Sequence, residues 1–204
     1  MTILEIDQLS ITVNNKKIVH NSKLLIEEVG IYGLIGGRDA GKTLLFEWLS
    51  GQLAPLEGEI QITEKKQEQL LQASLVKIKP LLVNLTIFEN LRVLCSNADS
   101  VSEADIVWYL SFVGLNQSDN RLVSALSKAE KYRLAIALSL IDNPSILLLD
   151  EPFFDFTIED FNMIQHILSK IIESNIAIVI ATRNEEGIRP LCKRVFRLAH
   201  GKLQ

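Results

Sequence analysis

The chain has 204 residues, 48% of them hydrophobic and 23% charged, and a formal net charge of −4. That length and composition suit one globular domain with its own core and exclude a disordered chain. The acidic balance, with a pI near 5.5, argues against nucleic acid as the main partner, because binding a phosphate backbone needs a basic footprint.

A mean hydropathy of +0.20 is high for a free-standing soluble protein, yet no run approaches the roughly 18 apolar residues of a membrane helix. Cys95 and Cys192 are the only cysteines. With no secretory signal read at the N-terminus, a reduced cytoplasmic location is expected.

In chain order, Leu4-Glu5-Ile6-Asp7 and Leu9-Ser10-Ile11-Thr12-Val13 alternate as half-buried strand. Asn14 to Lys17 reads as a turn, with Ile18-Val19 and Leu24 to Ile26 as further strand pieces. After Gly30, Ile31 to Ile35 is a short apolar strand. Lys42 to Ser50 reads as helix, stopped by Gly51. Pro55 to Gly58 is an expected turn before a strand at Glu59 to Ile62.

The middle of the chain is helical. Thr86-Ile-Phe-Glu89 is a capping box that opens a helix through Leu94. Ser102 to Asp105 starts a second helix, closed by Gly114, and Ser127 to Leu140 forms a third, ending before Asn143-Pro144. Ile146 to Leu149 is an apolar strand, Thr157 to Glu173 a helix, and Ile176 to Ala181 and Val195 to Leu198 are the last strands. Strands alternating with helices in this half predict a parallel sheet covered on both faces.

Gly36-Gly37-Arg38-Asp39-Ala40-Gly41-Lys42-Thr43 matches the phosphate-loop pattern, between an apolar strand and a helix. Glycines let backbone N–H groups close around phosphates. Lys42 is placed for the β- and γ-phosphates, and Thr43 offers a hydroxyl to Mg²⁺. Asp39 is discordant, since a carboxylate inside an anion loop repels phosphate unless it points outward. Downstream, the strand Ile146 to Leu149 ends in Asp150-Glu151-Pro152. Beside a phosphate loop, Asp150 suits Mg²⁺ and Glu151 suits a general base for water.

These two motifs and the segments between them resemble the ATP-binding subunit of an ABC transporter over nearly the whole chain. Asn84-Leu-Thr-Ile-Phe-Glu-Asn-Leu91, Leu126-Ser127-Lys-Ala-Glu130 with its helix, and His200-Gly-Lys-Leu203 carry the likeness. The wording is similar to bacterial ABC-2 type exporters. The resemblance implies an α/β P-loop NTPase fold: a mixed RecA-like sheet core, an N-terminal antiparallel β-subdomain and a helical insertion. It implies one domain over 1–204, with 1–76 and 141–204 as core and about 77–140 as the helical part. It implies ATP and Mg²⁺ as cofactors, with Gly36 to Leu44 around the phosphates. The implied partners are a polytopic membrane permease and a second ABC ATPase subunit, identical or different. The implied location is the cytoplasmic face of the membrane, and Pro80-Leu81-Leu82-Val83 beside Lys77 is the expected apolar docking segment.

The sequence departs from the family at several positions. The adenine-stacking aromatic falls on Val13, which forgoes roughly 1–3 kcal/mol of stacking. The Q-loop glutamine falls on Lys77, the D-loop aspartate on Thr157 and the switch histidine on Arg183. The signature reads Leu126-Ser127-Lys128-Ala129-Glu130, without its glycines. Ser127 either donates to a partner subunit's γ-phosphate or simply caps its helix with Glu130. Arg183 stays protonated, so it either stabilises γ-phosphate charge as an arginine finger does or is a solvated loop residue. The expectation is a weak or partner-dependent ATPase, with an ATP-binding regulatory module as the alternative.

The remaining candidates read plainly. His20, His166 and His200 lack ligand spacing and are expected as surface or turn residues. Glu64-Lys65-Lys66 is expected as a solvated turn. Phe153, Phe154 and Phe156 are expected either in the core or, the favoured reading, at a subunit interface.

Overall fold

The computed structural model describes residues 2–13, 16–52, 72–95, 101–153 and 155–204. The expected turn and strand at 55–62, the turn at Glu64 to Lys66, and Phe154 lie outside them, as do Asn14 and Asn15. The described chain falls into two compact units. One comprises Met1–Leu75, Ser145–Pro152 and Ile171–Gln204, the other Val76–Pro144 and Phe153–Lys170.

The first unit is built on β-structure. β1 (Leu4–Val13) and β2 (Lys16–Ile26) form an antiparallel pair whose register shifts three times between Ile6 and Thr12. A six-stranded sheet follows, in the order β4-β5-β6-β3-β7-β8. Its strands are β3 (Ile31–Ile35), β4 (Ala73–Val76), β5 (Ile146–Asp150), β6 (Ala177–Thr182), β7 (Arg194–Ala199) and β8 (Lys202–Leu203). β5, β6, β3 and β7 run parallel, and β8 turns back antiparallel on β7. β3 and β6 are buried at every residue. Their runs of Ile, Leu, Val and Ala are what a sheet covered on both faces requires. The core joins Ile6, Val19 and Ile26 of the first pair to Phe46, Leu148 and Val179.

Two strands were not legible, and one differs in extent. β2 is a single 11-residue strand. The polar Asn21-Ser22 looks like an ending, but Ser22 is buried and its Oγ accepts from the Leu203 amide at 3.0 Å. β8 is only two residues long and is defined by its antiparallel pairing with β7. β4 has no alternating pattern, and its place beside β5 is supported by the Ser145 amide donating to the Gln72 carbonyl at 2.8 Å.

The second unit is helical: α2 (Ile87–Leu94), α3 (Glu103–Phe112) and α4 (Lys128–Ile141). Thr86 with Glu89, Ser102 with Asp105, and Ser127 with Glu130 all form reciprocal capping boxes. Each box satisfies two backbone donors that a helix start leaves open. Thr157 and Asp160 exchange the same pair of bonds at the start of α5 (Ile158–Glu173). Gly114, at φ 69°, ends α3 as expected. Ile87, Leu91, Leu110, Val113, Leu134 and Ile136 are fully buried. In neither unit do the described residues include a helix long and apolar enough to cross a membrane.

Candidate functional site

β3 delivers the chain to the phosphate loop, and α1 (Lys42–Leu49) carries it away. Two glycines are required sterically. A Cβ on Gly36 would come 2.8 Å from the Leu198 carbonyl oxygen, and one on Gly41 would come 2.4 Å from Ile18 Cγ2. Gly41 also sits at φ 102°, as the residue preceding α1. That left-handed turn is open to glycine and costly for other residues. Lys42 is only 7% exposed, and its Nζ donates to the Gly36 and Gly37 carbonyls at 2.7 and 2.9 Å. The ammonium is thus held against the loop backbone at the mouth of a helix N-terminus, where an anion is favoured. Asp39 lies exposed at φ 59°.

At the end of β5, the Thr43 hydroxyl donates to Asp150 Oδ2 at 2.6 Å. A hydroxyl and a carboxylate converging at the foot of a phosphate loop are hard oxygen donors, the chemistry Mg²⁺ prefers. Among the described residues there is no cluster of three or more His, Cys, Asp or Glu side chains placed to hold a metal. Mg²⁺ fits here in its usual way, held by one or two protein oxygens with phosphate and water completing the shell.

Glu151 adopts φ 47° with its amide donating to the Ala181 carbonyl at 2.8 Å. Both carboxylate oxygens are engaged. Oε2 accepts from the Thr182 hydroxyl at 2.8 Å, and Oε1 accepts from Arg183 Nε at 3.2 Å. Thr182 Oγ1 in turn accepts from the Asn184 amide at 3.2 Å. Arg183 also lines a cavity of about 290 Å³ together with Gly36, Gly37, Arg197 and Leu198. Thus the phosphate loop, Asp150, Glu151 and Arg183, far apart in sequence, are brought together in the first unit. Thr182 belongs with them and was missed, because a threonine ending an apolar strand carries no chemical signature.

Val13 ends β1 opposite Lys16 in the same unit. The other family positions lie in the second unit. Lys77 is half-buried just after β4. Ser127 takes the capping role: its Oγ accepts from the Glu130 amide at 3.1 Å, and its own amide donates to Glu130 Oε2 at 2.8 Å. Arg121 Nη2 donates to Glu130 Oε1 at 2.6 Å and to Asp119 Oδ2 at 2.7 Å. Burial works against the Glu130 charge, but the Arg121 guanidinium and the Ser127 amide outweigh it and hold the carboxyl below its usual range. Hydrogen bonds from Arg121 do the same for Asp119.

Several expectations need correcting. Ala129, which replaces a signature glycine, is 3% exposed, so its methyl group packs inside the unit while Lys128 remains exposed. Phe153 and Phe156 were assigned to an interface. Within the unit, Phe153 packs edge to face on Phe161 at 4.8 Å and Phe156 on Tyr132 at 5.9 Å, and each keeps part of its surface exposed. Leu81 was grouped with Leu82 and Val83 as docking surface, but it is buried, and only the latter two are exposed. His20 was expected as a surface or turn residue; its Nδ1 is buried with no hydrogen-bond partner among the described residues.

One positioning residue went unread. Asn90 is fully buried in α2 and clamps the loop before it. Its Oδ1 accepts from the Leu82 amide at 2.7 Å, and its Nδ2 donates to the Leu82 and Thr86 carbonyls at 2.9 Å each. An asparagine inside an apolar helix, where its propensity is poor, was the available signal.

The comparisons agree with this geometry. The family described as ABC transporter matches residues 19–154. The ABC transporter ATP-binding protein YybJ of Bacillus subtilis is 31% identical over 99% of this chain and 95% of its own length. The lantibiotic transport ATP-binding protein SrtF of Streptococcus pyogenes is 28% identical over 98% of this chain and 89% of its own. The bacitracin transport ATP-binding protein BcrA of Bacillus licheniformis is 30% identical over 99% of this chain and 68% of its own. Among solved structures, CbiO1 of Clostridium perfringens, part of an ABC transporter complex, superposes with a TM-score of 0.83 at 22% identity, covering all of this chain and 87% of that one. The fold, the phosphate loop and the matched relatives place the chain in the ABC transporter family, as an ATP-binding subunit.

Proposed function

We propose that the chain, acting as one ABC ATPase domain, binds Mg-ATP on Gly36 to Leu44 and couples that binding to a polytopic membrane permease. The observation that carries this reading is the 2.6 Å bond from Thr43 to Asp150 at the end of a sterically required glycine loop. Lys42 turns from the Gly36 and Gly37 carbonyls to the β- and γ-phosphates. Thr43 and Asp150 would hold Mg²⁺, which would supply positive charge to offset that of the phosphates. Glu151 takes the proton of the attacking water, and Arg183 faces the γ-phosphate. On this reading Val13, Lys77 and Ser127 stand at the family's adenine, Q-loop and signature positions.

The printed roles of SrtF and BcrA in lantibiotic and bacitracin transport support an exporter. The chain then sits at the cytoplasmic face of the membrane through its permease, paired with a second ATPase subunit, and nucleic acid has no part. Exposed Leu82 and Val83, pinned by Asn90, are the docking residues on this reading.

A second reading, an ATP-binding regulatory module with little hydrolysis, is favoured by the engagement of both Glu151 oxygens and by the capping role of Ser127. Calorimetry with Mg-ATP tests the proposal. Wild type should bind with modest affinity and Lys42→Ala should not. Equal binding by both would remove the phosphate-loop assignment.

A further inference from the structure

Arg183 is bound to two things at once. Its Nε donates to Glu151 Oε1 at 3.2 Å, and its side chain lines the cavity shared with Gly36 and Gly37. The Nη hydrogens have no partner among the described residues. The ion pair is also solvent-exposed, with side-chain exposures of 52% for Arg183 and 30% for Glu151. Exposed pairs of this kind are weak, contributing about 1 kcal/mol at most.

A γ-phosphate entering beside Gly36 and Gly37 brings a charge of about −2 and several acceptor oxygens, so it outcompetes one carboxylate for a guanidinium with donors to spare. ADP ends one phosphate short and offers no such partner. We propose that Arg183 is a nucleotide-sensing latch on Glu151: it holds the carboxylate in the nucleotide-free chain, and ATP, but not ADP, draws it off.

Release has a chemical consequence. While Arg183 holds Oε1 and Thr182 holds Oε2, one acceptor site on each oxygen is already taken. Once Arg183 moves to the phosphate, Oε1 loses that donor and has both acceptor sites open to water. The attacking water then gives its proton to Glu151 as its oxygen bonds to the γ-phosphorus, and the bond from that phosphorus to the bridging oxygen breaks, its electron pair leaving with ADP. Arg183 faces the charge that develops on the transferred phosphoryl group. The chain thereby frees an acceptor site on its base when a triphosphate is seated. This regulation rests on the phosphate-loop reading given above.

The test is ATP and ADP binding by calorimetry to wild type, Glu151→Gln, Arg183→Gln and the double variant. Glu151→Gln no longer has a pair to break, so ATP should bind about 2- to 5-fold tighter, the equivalent of an exposed ion pair, while ADP binding stays within about twofold. The decisive comparison is Arg183→Gln made on top of Glu151→Gln. A latch that moves to the γ-phosphate predicts a loss of ATP affinity of about tenfold or more, as for a charge-assisted hydrogen bond, with ADP unchanged and Arg183→Lys partly restoring ATP. If Arg183 merely screens Glu151, the loss disappears once Glu151 is neutral, and unchanged ATP binding in that pair of variants would overturn the latch alone. Wild type that binds neither nucleotide would overturn the phosphate-loop reading and the latch together.

Discussion

The two units of this chain use their polar residues differently. In the first, the chemistry-bearing groups meet one another across the sequence: Thr43 on Asp150, and Arg183 and Thr182 on Glu151. In the second, the groups at the family's signature are spent on local architecture. Ser127 caps its helix, Glu130 completes the box, and Arg121 ties that carboxylate to Asp119. A site meant for an incoming phosphate keeps donors in reserve, as Arg183 does, while a helix start whose side chain already has a partner has less to offer. The contrast separates a half whose charged groups meet across the sequence from a helix start that holds itself together.

The comparison breaks most sharply at Lys42. Lys42→Ala should weaken Mg-ATP binding by at least about 100-fold, as expected for the loss of a desolvated charge contact to phosphate, while a thermal melt shows the protein still folded. In the second unit, Leu81→Glu should destabilise by about 3 kcal/mol or more, because it buries a charge. Leu82→Glu and Val83→Glu should change stability by no more than about 0.5 kcal/mol yet break co-purification with a permease. Survival of co-purification would move the docking surface elsewhere. Asn90→Ala should cost about 1–3 kcal/mol, since it removes the bonds of a fully buried amide to the Leu82 backbone and the Thr86 carbonyl, and denaturant titration measures it.

Smaller effects sharpen the reading of the signature. Ser127→Ala should cost about 1 kcal/mol of helix stability and leave ATP binding to the phosphate loop unchanged. Glu130→Gln keeps the capping box but loses the Arg121 ion pair, worth about 0.5 kcal/mol at this exposure. The Glu130 carboxyl is depressed below the ordinary value of 4.5. Its stabilisation is therefore present above that value and lost as pH falls through the lower folded value. Melts of wild type and Glu130→Gln should differ at neutral pH and converge once Glu130 is protonated.

Much of the fold was legible where local signals agree with the tertiary structure. Capping boxes at Thr86, Ser102 and Ser127, the glycine stops at Gly51 and Gly114, and the fully apolar β3, β5 and β6 all carry their conformation in neighbouring residues. What escaped depends on distant partners. β4 and β8 are defined by hydrogen bonds to other segments. Leu81 and Leu82 are adjacent and chemically identical, and only packing sends the first inward. In the site, Lys42, Thr43, Asp150 and Glu151 could be named from their motifs. The pairing of Arg183 with Glu151 could not, because nothing within either motif says where a long guanidinium side chain comes to rest.

The most direct test is steady-state ATP hydrolysis by the purified chain, alone, at saturating Mg-ATP, compared with Glu151→Gln and with a combined Arg183→His, Lys77→Gln, Lys128→Gly, Ala129→Gly variant. Losing one oriented transition-state donor slows turnover by about 100- to 1,000-fold, and several family positions differ here. Wild type should bind ATP yet turn over close to the Glu151→Gln background, with the combined variant faster and the gain abolished by adding Glu151→Gln. Vigorous hydrolysis by the isolated wild type, sensitive to Glu151→Gln, would contradict the account.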